Sequence, residues 1–317
     1  MSRPLSLEMM RQGIESQPET LRSYRKTLLA IPKSSDPSRI VFAGSGDSYS
    51  AALWAQELSA GKAIAHDPFE LALEPSRAKD KDVMILSVSG KTRANIFLAK
   101  KLKGVARRRI AVTGSKDSPL SRECDDTLLL EYHRTEGLTA GTASYTSTLL
   151  VCSRLLGQIP VLNFEHTLKS ARVRAERTDL SPRKDTVVVF VGAGLDYPLA
   201  MYGGLKLNEV LGMKTIYCSP EQLVHAILFS LDKKQDRIVM IDPESNRRHR
   251  EIKQTLSDVG FHLYSVDVPP RHPVKRSLEI AFHLQYLAYN RAVNIGLKEC
   301  AFLSNKEILD VSSRLIY

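Results

Sequence analysis

Several things that would settle the chemistry at once are missing from this sequence. Its 317 residues include only four cysteines, Cys124, Cys152, Cys218 and Cys300. They lie far apart and form no Cys-x-x-Cys pair, which speaks against a zinc site and a disulfide framework and fits a reducing, cytoplasmic setting. No stretch approaches the ~18 apolar residues of a membrane span, and the opening MSRPLSLEMMRQ lacks the apolar core of a secretory signal. Neither a membrane nor a leader peptide is expected. No helix-turn-helix, zinc-finger or aromatic RNA-binding signature accompanies the basic residues, so nucleic acid is not an expected partner. No metal and no cofactor are expected either.

What is present is an ordinary globular composition, 43% hydrophobic and 25% charged, with a net charge of +10. The length suggests about two domains. The basic residues are spread, with short clusters at Arg107-Arg108-Arg109 and Arg247-Arg248-His249-Arg250. Solvated faces, or attraction of phosphorylated small molecules, account for such a distribution.

The stretch ILSVSGKTRANI, residues 85 to 96, contains Gly-Lys-Thr, the end of a nucleotide-binding loop. A Walker A loop needs a glycine five positions before the one that precedes the lysine. Here that position is Ile85, inside an apolar strand, so the nucleotide reading fails on spacing. What remains is a strand ending in Ser87, Ser89 and Thr92 ahead of a helical run. Hydroxyls, a glycine and helix N-terminal amides suit one phosphate group; the same residues also suit an ordinary helix cap.

The chain also repeats itself. IVFAGSGDSY, from Ile40, returns as VVFVGAGLDY, from Val188, and KDVMILSVSG, from Lys81, is echoed more loosely by QDRIVMIDPE, from Gln235. The looser echo pairs Asp82 with Asp236. Each copy alternates continuous apolar strands with helical stretches, which indicates a parallel sheet covered on both sides. The expected fold is α/β: two tandem flavodoxin-like, three-layer αβα domains with parallel sheets. The expected organisation is a helical lead-in over 1–30, a first domain over 31–175, a second over 180–295, and a tail over 296–317 that closes the site. A polar linker containing Pro182 separates the two copies. Ligands of such sheets bind at strand carboxyl ends, near a topological switch point. The Gly44-Ser45-Gly46 and Ser87 turns both occupy such ends.

Four segments together resemble the sugar isomerase (SIS) family, most closely the isomerase domain of the glucosamine-6-phosphate synthases: GSGDSY, SVSGKT, TEGLTAGTASYTSTLL from Thr135, and YPLAMYGGLKLNEVLGMKTIYCSPEQLVHAILFSL from Tyr197. The resemblance runs from about residue 40 to 295. It implies that Ser48, Ser87, Ser89 and Thr92 bind a phosphate and that Gly46, Asp47 and Thr139 line the substrate. It further implies that Glu209 is the catalytic carboxylate, with Lys206 one turn earlier, and that His225 opens the sugar ring. In the family that histidine reaches into the neighbouring subunit's site, which implies a homodimer.

The residues suit that chemistry. Moving a hydrogen between C1 and C2 of a sugar needs a base that removes a proton beside a carbonyl and returns it to the next carbon, work a carboxylate can do. Histidine suits ring opening near neutral pH. Tyr202, Lys206 and Glu209 follow at i, i+4 and i+7 on one helical stripe; the plain alternative is an exposed face carrying a Lys-Glu pair. His225, alone among Leu223, Val224 and Ile227, could equally be packed.

Three departures stand out. Tyr202 replaces a residue usually acidic in the synthases. Pro220-Glu221-Gln222 and Ala226-Ile227 replace a more glycine-rich loop. Val311 falls at the tail lysine that can form an imine with a ketose, with Lys306 nearby. No glutaminase activity is expected, since Ser2 follows Met1 where that half has its cysteine nucleophile. The expected activity is aldose-ketose isomerisation of a sugar phosphate, or deamination of glucosamine 6-phosphate, through an enediol-type intermediate. A fructosamine-6-phosphate deglycase and a non-catalytic sugar-phosphate-binding regulator are the alternatives. In each case a phosphorylated sugar or amino sugar is the partner.

Overall fold

The computed structural model describes residues 5–178, 180, 185–242, 244, 246–269 and 272–317; the Pro182 linker lies outside them. The chain forms two compact units. The first-sheet unit comprises Ser16–Arg134, Gly141–Val161 and Lys306–Tyr317, and the second-sheet unit Met1–Glu15, Thr135–Ala140 and Leu162–Asn305.

Helix α1 (Ser6–Glu15) belongs to the second-sheet unit. The first-sheet unit runs through α2 (Gln17–Leu29), β1 (Ile40–Gly44), α3 (Asp47–Leu58), β2 (Ile64–His66), α4 (Pro68–Leu73), β3 (Asp82–Leu86), α5 (Arg93–Lys101), β4 (Arg108–Thr113), α6 (Pro119–Glu123), β5 (Asp126–Leu129) and α7 (Ala143–Leu155). The second-sheet unit continues with α8 (Phe164–Glu176), β6 (Val187–Val191), α9 (Asp196–Leu211), β7 (Lys214–Cys218), α10 (Pro220–His225), β8 (Arg237–Ile241), α11 (Arg247–Asp258), β9 (His262–Val266), α12 (Pro273–Asn294) and α13 (Ala301–Ser304). Helix α14 (Lys306–Ile316) returns to the first-sheet unit, where the Arg93 guanidinium donates to the Arg314 carbonyl at 3.2 Å.

Among the described residues the first sheet has the order β2-β1-β3-β4-β5 and the second β7-β6-β8-β9, every pairing parallel. Both are the expected parallel sheets flanked by helices. The central strands β1, β3 and β8 are buried at every position, as a sheet covered on both faces requires. Alternate residues of the first sheet (Val41, Ala43, Val83, Ile85, Ala111) pack on Leu71 of α4, Leu98 of α5 and Leu120 of α6. Each fully buried valine, leucine or isoleucine among them contributes about 1.5–3 kcal/mol. The second sheet repeats the layout, with Val189, Val191, Ile238 and Met240 against Leu223, Ile252 and Leu256.

The Arg107–Arg109 cluster is absorbed by ion pairs at the amino ends of the strands. Arg107 and Arg108 bind the buried Asp82 carboxylate, and Arg109 binds Asp125. It is therefore a structural clasp rather than a free basic patch.

Strand register corrects the looser repeat. Ile40 pairs with Asp82 in the first sheet, and its counterpart Val188 pairs with Arg237 in the second. Asp82 thus corresponds to Arg237, one residue beyond Asp236, and Ser87 to Asp242. Asp236 looked like the match because it is also an aspartate before a strand. It instead accepts the Val187 amide at 2.9 Å and that of Asp232 at 2.8 Å.

Candidate active site

An order of 2-1-3-4-5 reverses direction between β1 and β3, and the loops after those two strands frame the crevice where flavodoxin-like sheets bind ligands. After β1 the chain turns sharply into α3. A Cβ on Gly44 would lie 2.7 Å from the Ser48 backbone, and Gly46 has φ +57°. Both positions therefore favour glycine, and half-buried Ser48 is delivered to the first turn of α3.

After β3 the Gly90 amide donates to the Ser87 carbonyl at 3.0 Å, and Gly90 has φ +63°. A Cβ there would approach the Ser118 hydroxyl to 2.3 Å and that of Thr113 to 2.8 Å. This tight turn gathers the hydroxyls. Ser87, only 3% exposed, donates to Thr92 Oγ1 at 3.3 Å, and Ser89 Oγ accepts the Lys91 amide at 3.2 Å. Thr92 does occupy the N-cap position of α5, yet its side chain makes no cap hydrogen bond. The capping explanation therefore does not account for its hydroxyl, which faces Ser87 instead.

Asp47 opens α3, and the third segment approaches it through residues the sequence reading passed over. The Cβ position of Gly141 lies 3.2 Å from Asp47 Oδ2 and 3.4 Å from Ser144 Oγ, while Ser50 and Tyr145 share a hydrogen bond of 2.9 Å. Thr139 belongs to the other unit, where its hydroxyl donates to the Ser6 carbonyl at 2.7 Å. Asn95 was also missed. Its side-chain amide donates to the Leu86 carbonyl at 3.3 Å, while its buried Oδ1 has no partner among the described residues. A single asparagine in a helical run carries no sequence signal for this.

In the second-sheet unit α9 carries Tyr202, Lys206 and Glu209. Tyr202 and Lys206 are completely buried; the Lys206 ammonium pairs with the Glu209 carboxylate and lies 5.3 Å from the centre of the Tyr202 ring. Gln285 of α12 donates to the Tyr202 hydroxyl at 3.1 Å. The Lys-Glu pair exists, but an exposed face does not describe it, because the cation is removed from water. Glu209 keeps 39% of its side chain exposed, so its carboxylate reaches solvent while its partner does not.

His225 closes α10 and is 76% exposed, so it is not packed among its apolar neighbours. Its Nε2 lies 3.6 Å from Glu221, which also accepts from Arg248 at 2.8 Å. The structure thus joins Ser87 with Thr92 and Lys206 with Glu209, whereas His225 is joined to Glu221. Burial pushes the Cys124 and Cys218 thiols up to about 12, which makes both poor nucleophiles. Among the described residues no group of three or more His, Cys, Asp or Glu could hold a metal ion, and no helix is long and apolar enough to cross a membrane.

Residues 34–156 match the family model described as the SIS domain. This segment is a SIS domain. It contains the whole hydroxyl loop, the Gly44 turn and the Gly141 segment. Over 91% of its length the chain is 24% identical to the isomerizing glutamine–fructose-6-phosphate aminotransferase of Sulfolobus acidocaldarius, of which it covers 54%. It spans about half the length of the curated relatives it matches. Among solved structures, glucosamine-6-phosphate deaminase from Thermotoga maritima superposes with a TM-score of 0.73 at 17% identity, over 92% of this chain and 95% of that one. Tagatose-6-phosphate ketose/aldose isomerase from Escherichia coli gives 0.71 at 16%, over 93% and 97%. The likeness to these two structures shows the fold of the chain.

Proposed function

We propose that the chain is a homodimeric enzyme of phosphorylated sugars or amino sugars, acting as an aldose-ketose isomerase or a glucosamine-6-phosphate deaminase. Ser48, Ser87, Ser89 and Thr92 hold the phosphate. Glu209 takes a proton from the carbon beside the carbonyl and returns it to the neighbouring carbon through an enediol-type intermediate. Lys206 keeps the carboxylate paired and in place. His225, from the partner subunit, moves the proton that opens the ring. The observation that carries this reading is the completely buried Lys206 ammonium held against a solvent-reaching Glu209 carboxylate. A buried charge costs several kcal/mol unless paired, and pairing it with a carboxylate that still meets solvent supports a proton-transfer role for Glu209. The exposed His225, followed on the same segment by Phe229 at 85% exposure, supports a surface that a second copy covers.

Deglycation of a fructosamine 6-phosphate would draw on the same Glu209 and His225. Val311 at the place of an imine-forming lysine favours proton transfer without a covalent intermediate. The test is a panel of fructose, glucose, mannose and glucosamine 6-phosphates and a fructosamine 6-phosphate, followed by NMR in heavy water. Interconversion with deuterium at C2 of the aldose or C1 of the ketose, or ammonia release with deuterium at C1 of the ketose product, is expected. Tight binding of one sugar with neither turnover nor exchange would leave a sugar-phosphate-binding regulator instead.

A further inference from the structure

The second sheet has a switch point of its own, between β6 and β8. The repeat and the strand register place Asp196 where the first sheet has Ser48, and Asp242 where it has Ser87. Both hydroxyl positions have become carboxylates. Between them sits a cation from the same unit: Arg276, in the first turn of α12, donates to Asp196 at 2.5 and 2.9 Å and to Asp242 at 2.7 Å. The guanidinium and the Asp196 carboxylate are nearly sealed, at 12% and 9% exposure. His249 of α11, 5% exposed, lies within electrostatic reach of Asp196, and its ring Nδ1 has no hydrogen-bond partner among the described residues.

We infer that this second strand-end cradle is a phosphate site closed from within: Asp196 and Asp242 fill the places of the anion-binding hydroxyls and bind the chain's own Arg276. The inference rests on reading the Ser48 and Ser87 cradle as the phosphate site. Two carboxylates and one guanidinium leave an excess of negative charge at the crevice, and like charges in a poorly solvated crevice repel strongly. A phosphate that approached would also find the Arg276 guanidinium, which could bind it bidentately, already engaged. Burial raises the Asp196 carboxyl above its ordinary value, and the Arg276 guanidinium offsets only part of that rise. The chain therefore binds one phosphate group, at the first sheet.

Reopening the cradle tests this. Asp196→Ser with Asp242→Asn restores a hydroxyl, removes both charges and frees Arg276; asparagine suits the φ of +48° at Asp242. Calorimetric titration of the full chain with inorganic phosphate should count one phosphate for the wild type and two for the reopened chain. Adding Arg276→Met should weaken the new site by at least about tenfold, the loss of one charged hydrogen bond. Ser89→Ala with Thr92→Ala should remove only the original site. A folded reopened chain that binds no more than the wild type overturns the inference, as does a wild type that already binds two. A wild type that binds none sinks the first-cradle reading alone, and the gain on reopening still decides this one. Should the double variant fail to fold, Asp242→Asn by itself, which keeps the Asp196–Arg276 pair, must gain a second, weaker phosphate; no gain overturns the inference.

Discussion

The Lys206 ammonium is completely buried and is paired with the carboxylate of Glu209, one turn further along α9, which reaches solvent. Replacing Glu209 by glutamine keeps the size of the side chain and an oxygen for Lys206 but removes the ability to carry a proton at neutral pH. Turnover should fall by about 10²- to 10⁴-fold, and deuterium uptake at C2 should vanish with it. Phosphate affinity, measured by calorimetry, should hardly change. Full exchange in the variant would reduce Glu209 to the counter-ion of a structural lysine.

The hydroxyl loop predicts a separate defect. Each neutral-to-charged hydrogen bond lost from Ser89 and Thr92 on changing to alanine should cost about 1.5–3 kcal/mol of phosphate binding. Because Thr92 makes no cap bond to α5, the melting temperature should move little. Unchanged affinity with a lowered melting temperature would restore the capping explanation.

How far the sequence speaks for itself differs between these sites. The strands around Phe42 and Ile85 were legible because parallel, doubly covered strands are apolar at every position. The hydroxyl loop was legible because its residues are adjacent in the chain. Helix α5 stops at Lys101, although its apolar pattern runs on to Leu102 and Val105. Long-range partnership was not legible at all. Nothing in the run of Arg107 to Arg109 names Asp82 and Asp125 as its partners, and nothing near Asp196 announces Arg276, which lies 80 residues further on. Local charge spacing foresaw that Lys206 meets Glu209, but not that the lysine is removed from water. That depends on Tyr202 and on how α9 packs against α12.

Assembly can be tested by complementation. If His225 serves a partner's site, the Glu209→Gln and His225→Ala chains are each inactive, yet a mixed dimer carries one site with both residues intact. Mixing them under subunit exchange should recover part of the wild-type turnover. A monomer by light scattering, or no recovery after exchange is confirmed with tagged chains, would remove the shared-site model.

His283 should give the second-sheet unit a pH-dependent stability. It sits in α12 at 2% exposure, neither ring nitrogen has a hydrogen-bond partner among the described residues, and burial followed by the nearby Arg174 guanidinium pulls its pKa down to about 4. Arg174 is itself paired with Glu279, one turn before His283, so the positive charge facing the imidazole is held in place. Above the ordinary histidine pKa the ring is neutral in both folded and unfolded chains and contributes nothing to the pH dependence. As the pH falls from about 6.5 towards 4, the unfolded chain takes up a proton that the folded chain refuses, so stability is lost across that window. The full loss is about 3 kcal/mol, from a shift of between two and three pH units at 1.36 kcal/mol each. Urea unfolding at a series of pH values should show the slope. His283→Leu, which cannot titrate, should flatten it relative to the wild type between pH 6.5 and 4 while leaving the carboxylate titrations below pH 4 in place. Parallel pH profiles for the two chains would mean that the buried imidazole acquires a proton partner in solution.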